Sequence, residues 1–170
     1  MLFVSLLQII VLILVLFTLL YAALISYMVY RGCNYIPTPK REIDSALSVL
    51  QPGDVFIDLG FGYGEVLEAA LKKGAAKVIG YELDPIRYLQ VWWKLRTYGK
   101  AVELHFADIW SADLSKATVV FTFFTVIHMR KLYTKAKKEA KNARWFVSYI
   151  HEIPGVTPTK STKTMRFFKL

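Results

Sequence analysis

The sequence has 170 residues, which is room for one domain with a buried core and not for two. It carries 22 Lys and Arg residues against 13 Asp and Glu, for a formal net charge of +9. A single cysteine excludes both a disulfide framework and a cysteine-based metal cluster.

The first segment of the chain is strongly apolar. From Leu2 to Tyr30 no charged residue occurs. A membrane-spanning helix needs about 20 apolar residues, whereas the apolar stretch of a cleaved signal peptide has about 7–15 and follows a basic start. We therefore predict a retained single-pass transmembrane helix over residues 1–30. The first charges after it are Arg31, Lys40 and Arg41, so the positive-inside rule predicts that the C-terminal domain lies on the cytoplasmic side of the membrane.

Residues 31–50 are predicted to form a connector and a pre-domain segment. Pro37 and Pro39 favour extended backbone and end the apolar helix. Arg41 to Leu50 has apolar residues at helical spacing and is predicted to be an amphipathic helix. A turn rich in Pro and Gly then begins the third part of the chain, a domain over residues 51–170.

Short apolar runs alternate with helical stretches in this domain. Strands are predicted at 55–59, 77–81, 101–106, 117–124, 145–150 and 164–168, and helices at 64–73, 85–98 and 128–142. Such alternation indicates βαβ crossovers. The predicted fold is α/β and Rossmann-like, with a mostly parallel sheet and helices on both faces.

A glycine-rich loop, Asp58-Leu59-Gly60-Phe61-Gly62-Tyr63-Gly64, follows the first predicted strand. Asp58 and the glycines Gly60, Gly62 and Gly64 are candidate ligand-binding residues, because glycine lets the backbone turn sharply and approach a ligand. A dinucleotide fingerprint would have its third glycine at the next position, which is Glu65. Glutamate would repel a pyrophosphate but not a zwitterionic amino-acid group that carries a sulfonium. The loop alone is also compatible with a plain strand-to-helix connection.

Acidic residues follow the next two strands. Glu82 ends the second strand, where a carboxylate can accept hydrogen bonds from both ribose hydroxyls. The alternative for Glu82 is a solvated charge, and Asp84 is better explained as a helix N-cap. Asp108 follows the third strand and can accept from the exocyclic amine of adenine, or else form an Asx-turn. Its neighbour Ile109 and the apolar Leu83 are further candidates for contact with a nucleoside.

The fourth strand ends in aromatic residues, Phe121-Thr122-Phe123-Phe124. Phe121 and Phe123 are candidates for the floor beside a reacting group. The alternative is a plain buried strand, since a nearly continuous apolar run is typical of a central parallel strand.

Residues 35–170 resemble the small archaeal protein-lysine methyltransferases and their single-pass, membrane-anchored mitochondrial relatives. The matching stretches are Tyr35-Ile36-Pro37-Thr38-Pro39, Pro52-Gly53-Asp54-Val55, Asp58 to Gly64, Gly80 to Glu82, Asp113-Leu114-Ser115-Lys116-Ala117-Thr118-Val119-Val120 and Val147-Ser148. The resemblance implies a class I methyltransferase fold, S-adenosylmethionine as cofactor, and transfer of methyl groups to lysine side chains of membrane-associated proteins. It also implies that Tyr35, Pro37 and Thr38 fold over the cofactor and close the active site, with Tyr35 needed for catalysis.

Two departures from the family pattern set expectations of their own. Tyr63 stands where the family has Asp, and Glu65 stands where it has Arg. These positions motivate the alternative of a non-catalytic, cofactor-binding membrane protein. Only residues 151–170 follow the fifth strand, so we expect a helix and one strand of the usual seven-stranded sheet to be missing.

Other substrates and partners are compatible with the composition. A methyltransferase that acts on a lipid or small amphiphile is the second alternative. The absence of Asn/Asp-Pro-Pro-Tyr after the fourth strand weakens transfer to base or amide nitrogens. Arg130 to Arg144 carries seven basic residues against Glu139, which indicates either a solvated helix face or contact with anionic headgroups. Nucleic-acid binding is not expected, because no recognition motif accompanies the charge, and no ligand cluster predicts a metal.

Overall fold

The computed structural model describes residues 2–30 and 36–170, with side chains from Ser5 onward in the first range. The chain divides into two compact units, Met1–Cys33 and Asn34–Leu170.

The first unit contains one long helix, α1 (Leu2–Tyr30). Its stretch Ser5–Tyr30 has 26 residues and a mean hydropathy of 2.9. At 1.5 Å per residue this stretch is about 39 Å long, enough to cross a hydrocarbon core of about 30 Å. The hydroxyl groups of Thr18 and Ser26 donate to carbonyl oxygens one turn earlier, at 2.8 and 2.9 Å. These two polar side chains are therefore satisfied within the helix itself. Among the described residues, α1 is the one helix with the length and composition of a membrane span.

The second unit alternates strands and helices as the hydrophobic pattern predicts. Its helices are α2 (Lys40–Ala46), α3 (Glu65–Lys72), α4 (Pro85–Leu95) and α5 (Val126–Glu139). Its strands are β1 (Val55–Leu59), β2 (Lys77–Glu82), β3 (Val102–Phe106), β4 (Val119–Thr122), β5 (Trp145–Tyr149), β6 (Lys160–Ser161) and β7 (Met165–Lys169), and single 3₁₀ turns lie at Leu47–Val49, Arg96–Ala101 and Ile109–Ser111.

The strands form one seven-stranded sheet in the order β3-β2-β1-β4-β5-β7-β6. The pairs among β1 to β5 are parallel, whereas β7 runs antiparallel to both β5 and β6. The expected α/β, mostly parallel architecture is confirmed. The expected loss of one strand is wrong. An antiparallel pair needs only a short connection, so β6 and β7 complete the sheet without a crossover helix, and residues 150–164 contain none.

Helices pack on both faces of the sheet. The core on one face joins sheet residues such as Phe56 and Phe121 to residues of α2, α3 and α4. On α5, the ring of Tyr133 lies 5.6 Å from the rings of both Phe146 and Phe168. Ile43 and Leu47 of the pre-domain segment belong to the buried core, so that segment is part of the folded unit.

A polar network joins the amino ends of three central strands. Both oxygens of the buried Asp54 carboxylate accept from the same guanidinium nitrogen, Nη2 of Arg144, at 2.8 and 2.7 Å. It also accepts from the hydroxyl of Thr118 at 2.8 Å and from the backbone N–H of Gln51 at 2.7 Å. Two of the sequence stretches shared with the family therefore meet here, because Asp54 belongs to one and Thr118 to the other.

Candidate active site

The order of the strands defines where a ligand can bind. The chain moves outward from β1 to β2 and β3, then returns and continues from β4 on the other side of β1. In an open α/β sheet, such a switch leaves a crevice at the carboxyl ends of the two central strands. The loops after β1 to β5 therefore surround one opening, and the acidic and aromatic residues singled out from the sequence lie in or beside them.

The glycine-rich loop after β1 has a conformation that requires its glycines. Gly60, Gly62 and Gly64 have φ angles of 93°, 54° and 73°, in the region that side chains with a Cβ rarely adopt. The N–H groups of Gly60 and Phe61 donate to the carbonyl of Tyr81 on β2, which holds the loop against the neighbouring strand. A Cβ on Gly64 would lie 2.7 Å from a methyl group of Val91, so α3 also begins in close contact with α4.

Glu82 ends β2 and is buried, with only 6% of its surface exposed. One carboxylate oxygen accepts from the N–H of Gly62 at 2.9 Å, and the other accepts from the N–H groups of Leu83 and Asp84 at 2.9 Å each. The solvated-charge alternative is therefore wrong. The carboxylate has about four lone-pair sites, so one remains for a ligand hydroxyl while the other three fix the loop.

Asp58 lies at the other wall of the opening and is 2% exposed. Burial raises the pKa of its carboxyl well above the ordinary value, and the negative charges of Glu82 and Glu65 raise it further. Three carboxyl groups thus share one region at the ends of β1 and β2. Such a region favours a positively charged ligand, because a cation would relieve the repulsion among them.

The two remaining acids have the local roles that sequence reasoning considered. Asp84 caps α4, since its side chain accepts from the N–H groups of Ile86 and Arg87. This N-cap prediction is confirmed. One oxygen of the half-buried Asp108 accepts from the N–H of Trp110 at 3.1 Å, which is the Asx-type turn of the alternative interpretation. Its place after β3 leaves adenine recognition as a prediction.

Leu83 and Ile109 follow the same two strands. Ile109 is buried in the short turn after β3, and Leu83 is half-buried directly after Glu82. The carbonyl of Glu82 accepts from the N–H of Ala107 at 3.1 Å, which ties the loops after β2 and β3 together. Leu83 and Ile109 both lie in loops beside the opening. Their contact with the nucleoside remains a prediction.

The two phenylalanines proposed for the reacting floor lie in different environments. Phe121 is buried in the sheet core, where its ring stacks on Phe56 at 6.2 Å. Phe123 lies beyond the end of β4, and its ring contacts Tyr149 edge-on at 4.7 Å and the ring of His151 at 6.0 Å. The structure thus brings Phe123, but not Phe121, into an aromatic group at the carboxyl edge of the sheet.

His151 was not identified from the sequence. Its position depends on Ile150, whose φ of 64° is the one positive φ of a non-glycine residue in the described chain. That turn is secured when the buried hydroxyl of Ser148 donates to the carbonyl of His151 at 2.8 Å. Burial lowers the pKa of the His151 imidazole, which keeps the ring neutral at physiological pH. The stretch Val147-Ser148, shared with the family, was the available signal, but the spacing did not reveal its effect on the next loop.

A second aromatic group lies after β3 and β4. The ring of Trp110 is 6.3 Å from Phe124 and 5.8 Å from His128, in edge-on geometry. The ammonium of Lys131 lies 4.4 Å above the Trp110 ring. His128 is therefore part of an aromatic cluster in the first turn of α5.

The segment expected to close the site is described only in part. Tyr35 lies outside the described residues, so its role stays a prediction. Pro37 is exposed and Thr38 is half-buried, and both precede α2 without regular secondary structure.

The residues around the opening fit S-adenosylmethionine. This molecule combines a sulfonium, an ammonium and one carboxylate, so it carries a net positive charge. That charge is opposite in sign to the carboxylates of Asp58, Glu65 and Glu82. Glu82 would accept from the ribose, Asp108 from the adenine, and the glycine-rich loop would approach the amino-acid end. The charge of Glu65 raises the pKa of Asp58, so Glu65 adds to the negative charge of the site. The family has Arg at this position. No group of His, Cys, Asp and Glu suited to a metal ion occurs within residues 2–30 and 36–170.

Comparison with known proteins agrees with this geometry. A protein-lysine N-methyltransferase from Saccharolobus islandicus (strain REY15A) is 28% identical over 134 residues, covering 76% of this chain and 83% of that protein. The crystal structure of an RNA methyltransferase from Salinibacter ruber, in complex with S-adenosyl-L-homocysteine, superposes with a TM-score of 0.74 at 25% identity, covering 79% of this chain and 93% of that one. A ribosomal protein L11 methyltransferase from Bacillus cereus is 44% identical over 55 residues, which is 32% of this chain but 18% of that protein.

The fold and the site define a Rossmann-like, S-adenosylmethionine-dependent methyltransferase. The family model of the ANTKMT methyltransferase domain matches residues 58–160, which extend from Asp58 of the glycine-rich loop to the beginning of β6. The chain belongs to this family.

Proposed function

We propose that this chain is a membrane-anchored protein-lysine methyltransferase that acts on proteins at the membrane. The observation that carries the lysine assignment is the extent of the likeness to the Saccharolobus enzyme. It covers 83% of that protein and 76% of this chain.

The aromatic group at the carboxyl edge supports an amine as the methyl acceptor. Phe123, Tyr149 and His151 would form a wall that excludes water from the approaching side chain. An apolar wall lowers the pKa of a lysine and favours the neutral amine that can react. Because burial lowers the pKa of the His151 imidazole, this ring stays neutral and adds no positive charge to the wall that the amine approaches.

The reaction needs little from the protein beyond orientation and a dry site. S-adenosylmethionine supplies a methyl group that is already activated on its sulfonium. The lysine nitrogen forms a bond to the methyl carbon as the carbon–sulfur bond breaks, and the electron pair of that bond stays on the sulfur of S-adenosylhomocysteine. Asp58, Glu82 and the glycine-rich loop would hold the donor, while Phe123 would set the direction from which the amine approaches.

The membrane assignment rests on α1. Its apolar stretch is long enough to span a bilayer, and its Thr and Ser hydroxyls are satisfied within the helix. No Lys or Arg precedes this stretch, and Arg31, Lys40 and Arg41 follow it. The domain would therefore lie on the cytoplasmic side, where its substrates would be membrane proteins or proteins docked there.

RNA methylation is the second candidate, and one observation favours it. The match to the Salinibacter structure, which is described as an RNA methyltransferase, covers 93% of that chain. Against it, several basic groups of this chain are already engaged within the fold. Arg144 pairs with Asp54, Lys135 pairs with Glu139, and Lys131 lies on Trp110. These residues belong to the segment that would form the basic face for an RNA.

A methyl-transfer assay separates the candidates. The full chain, in detergent and in membranes from a strain lacking it, would be given S-adenosylmethionine with a radiolabelled methyl group. We expect label in protein, recovered as methyl-lysine after acid hydrolysis. Label in the lipid extract or in RNA, with none in methyl-lysine, would contradict the lysine assignment.

Two variants at Tyr35 test the role implied by the resemblance. If its ring positions the reacting amine, Tyr35→Phe retains most activity and Tyr35→Ala loses most of it, mainly in kcat. If Tyr35 is only an interfacial anchor, the detergent-solubilised Tyr35→Ala enzyme methylates as well as the parent. Asp58→Asn is the comparison variant for Tyr35→Ala, because it should weaken the binding of S-adenosylmethionine without changing how the lysine is positioned.

A further inference from the structure

Helix α4 is apolar on two opposite sides. Its inner side is buried, with Val91 and Leu95 in the core beside α3 and the sheet. Its outer side carries large apolar residues that are well exposed, Leu89 at 59% and Trp93 at 62%. Residues four positions apart lie on the same face of a helix, so these two side chains are neighbours on the surface. Exposed Ile86 and Trp92 extend this outer face of α4.

Basic residues accompany the outer face of α4. The guanidinium of Arg96 lies 3.4 Å from the centre of the Trp93 ring, and Lys100 is exposed in the next turn. Residues 85–101 contain no Asp or Glu. The surface therefore combines two tryptophans, an exposed leucine and an isoleucine with the positive charges of Arg96 and Lys100. Lys94 of the same helix instead pairs with Glu68 of α3 at 2.7 Å.

This combination identifies one occupant by its chemistry. Tryptophan concentrates where an aqueous phase meets hydrocarbon, and Lys and Arg beside it complement anionic headgroups. A helix with apolar aromatic side chains and a basic border lies in the plane of the interface. We propose that the outer face of α4 docks on the lipid surface of the membrane in which the chain is anchored.

The connector makes this contact accessible. This step rests on the proposed membrane anchor. Nine residues, 31–39, separate the end of α1 from the start of α2. Fully extended, such a segment reaches about 30 Å, which is close to the dimension of a small domain. The domain would therefore stay within contact distance of the headgroups, and α4 offers them its exposed tryptophans.

Docking through α4 would also select substrates. The helix begins at Pro85, three residues after Glu82, so its amino end borders the cofactor opening. A domain resting on α4 would hold that opening near the headgroups. Lysines in short loops close to the membrane would then be favoured over lysines in large domains that project far from it.

Tryptophan fluorescence tests the docking directly. The full chain would be placed in nanodiscs of phosphatidylcholine with phosphatidylserine, with bromine atoms on the lipid chains near the headgroups. A variant with Trp110→Phe and Trp145→Phe retains only Trp92 and Trp93 as reporters. We expect emission at shorter wavelength than in detergent and strong quenching by the brominated lipid. Both effects should weaken in high salt or in pure phosphatidylcholine.

The matched control is the double variant Trp92→Phe with Trp93→Phe, which keeps Trp110 and Trp145. Its emission should be largely unquenched, and the difference between the parent and this variant gives the same answer if the reporter variant fails to fold. The proposal would be overturned if, in nanodiscs that contain the chain, Trp92 and Trp93 emit at the wavelength of water-exposed tryptophan and are not quenched by the brominated lipid. Protection of these tryptophans by a second copy or a protein, without quenching by lipid, would overturn it as well. Failure of the chain to enter nanodiscs at all would instead contradict the membrane anchor.

Discussion

Glu82 fixes the glycine-rich loop and is our candidate for binding the ribose. Its carboxylate accepts three hydrogen bonds from backbone N–H groups, and its remaining acceptor site would take a ribose hydroxyl. A glutamine has a single acceptor oxygen, so its amide would turn an N–H toward one of these donors. The charge and the geometry of the loop are therefore lost together.

We expect Glu82→Gln to lower the affinity for S-adenosylmethionine by about 10–100-fold, since hydrogen bonds to a charged group contribute about 1.5–3 kcal/mol each. Calorimetric titration measures this change. Glu139→Gln on α5 is the control, because it makes the same substitution in an ion pair with Lys135, away from the site. Equal affinities of the Glu82 variant and the parent would remove this residue from the cofactor site.

As a proposed cofactor-binding residue, Asp58 should make the affinity for S-adenosylmethionine depend on pH. The pKa of its carboxyl is raised by burial and by the nearby charges of Glu82 and Glu65. A bound cation favours the ionised carboxylate, so binding lowers that pKa. The affinity for S-adenosylmethionine should therefore rise as the pH increases from about 4, the ordinary value for Asp, and level off above the raised pKa. Titrations over this range should show the rise in the parent and a flat profile in Asp58→Asn.

The same residue has the opposite effect on stability. A carboxyl whose folded-state pKa is raised destabilises the free protein once the pH exceeds its unfolded value. Asp58→Asn should therefore raise the unfolding temperature of the free protein at neutral pH while it weakens cofactor binding. A variant that both unfolds earlier and binds normally would contradict this account of the site.

Ile150 is a strained residue next to the active site. A β-branched side chain with a φ of 64° is disfavoured by about 1–2 kcal/mol. Ile150→Asn should relieve most of this strain and stabilise the protein by about 1 kcal/mol. Thermal unfolding measures the gain. Ile36→Asn is the control, because Ile36 is also exposed, and it should leave the midpoint nearly unchanged.

At the scale of elements, the network around Asp54 holds the amino ends of β1, β4 and β5 together. Removing its carboxylate leaves Arg144, Thr118 and the N–H of Gln51 without their common acceptor. We expect Asp54→Ala to lower the free energy of unfolding by about 2–4 kcal/mol, discounted from the value for a fully buried pair because Arg144 is partly exposed.

Glu152→Ala is the matched comparison for Asp54→Ala. Glu152 also pairs with an arginine, Arg166, but its own side chain is 71% exposed. An exposed pair of this kind contributes roughly 0–1 kcal/mol. Denaturant unfolding should therefore show a clearly larger loss of unfolding free energy in Asp54→Ala than in Glu152→Ala. Similar losses in both variants would mean that the network does not stabilise the strand ends.

The elements also show how far the sequence determines the structure. Hydrophobic periodicity predicted β1 to β5, β7 and every α-helix of the domain, because most of these elements have a buried face; β3 is half-buried but keeps its alternating apolar residues. It did not reveal β6, whose two exposed residues have no apolar pattern. The end of β4 at Thr122 decided between Phe121 and Phe123, because Phe121 lies within the strand and its core whereas Phe123 lies beyond the strand. His151 depended on the reversed turn at Ile150, for which propensity gives no signal.

At the scale of the whole molecule, the two compact units have separate tasks. The apolar helix would fix the chain in a membrane, and the α/β unit would bind the cofactor and the substrate. This division predicts that the position of the domain, and not only its active site, limits which lysines are methylated.

The side of the membrane on which the domain lies can be measured. We expect protease added outside sealed, right-side-out vesicles to leave the domain intact, and to digest it once the vesicles are opened. The expectation follows from the basic residues Arg31, Lys40 and Arg41 after the apolar helix. Digestion in sealed vesicles would place the domain on the opposite side.

The position of β7 has a consequence for how the protein is made. β5 pairs with β4 on one side and with β7 on the other, and Met165, Phe167 and Phe168 of β7 are almost completely buried. A ribosome that adds about 5–20 residues per second completes β7 roughly one to four seconds after β5. During that interval the outer edge of β5 and its apolar side chains have no partner on the nascent chain. The exposed edge of β5 must therefore be kept from pairing with strands of other chains until β7 pairs with it.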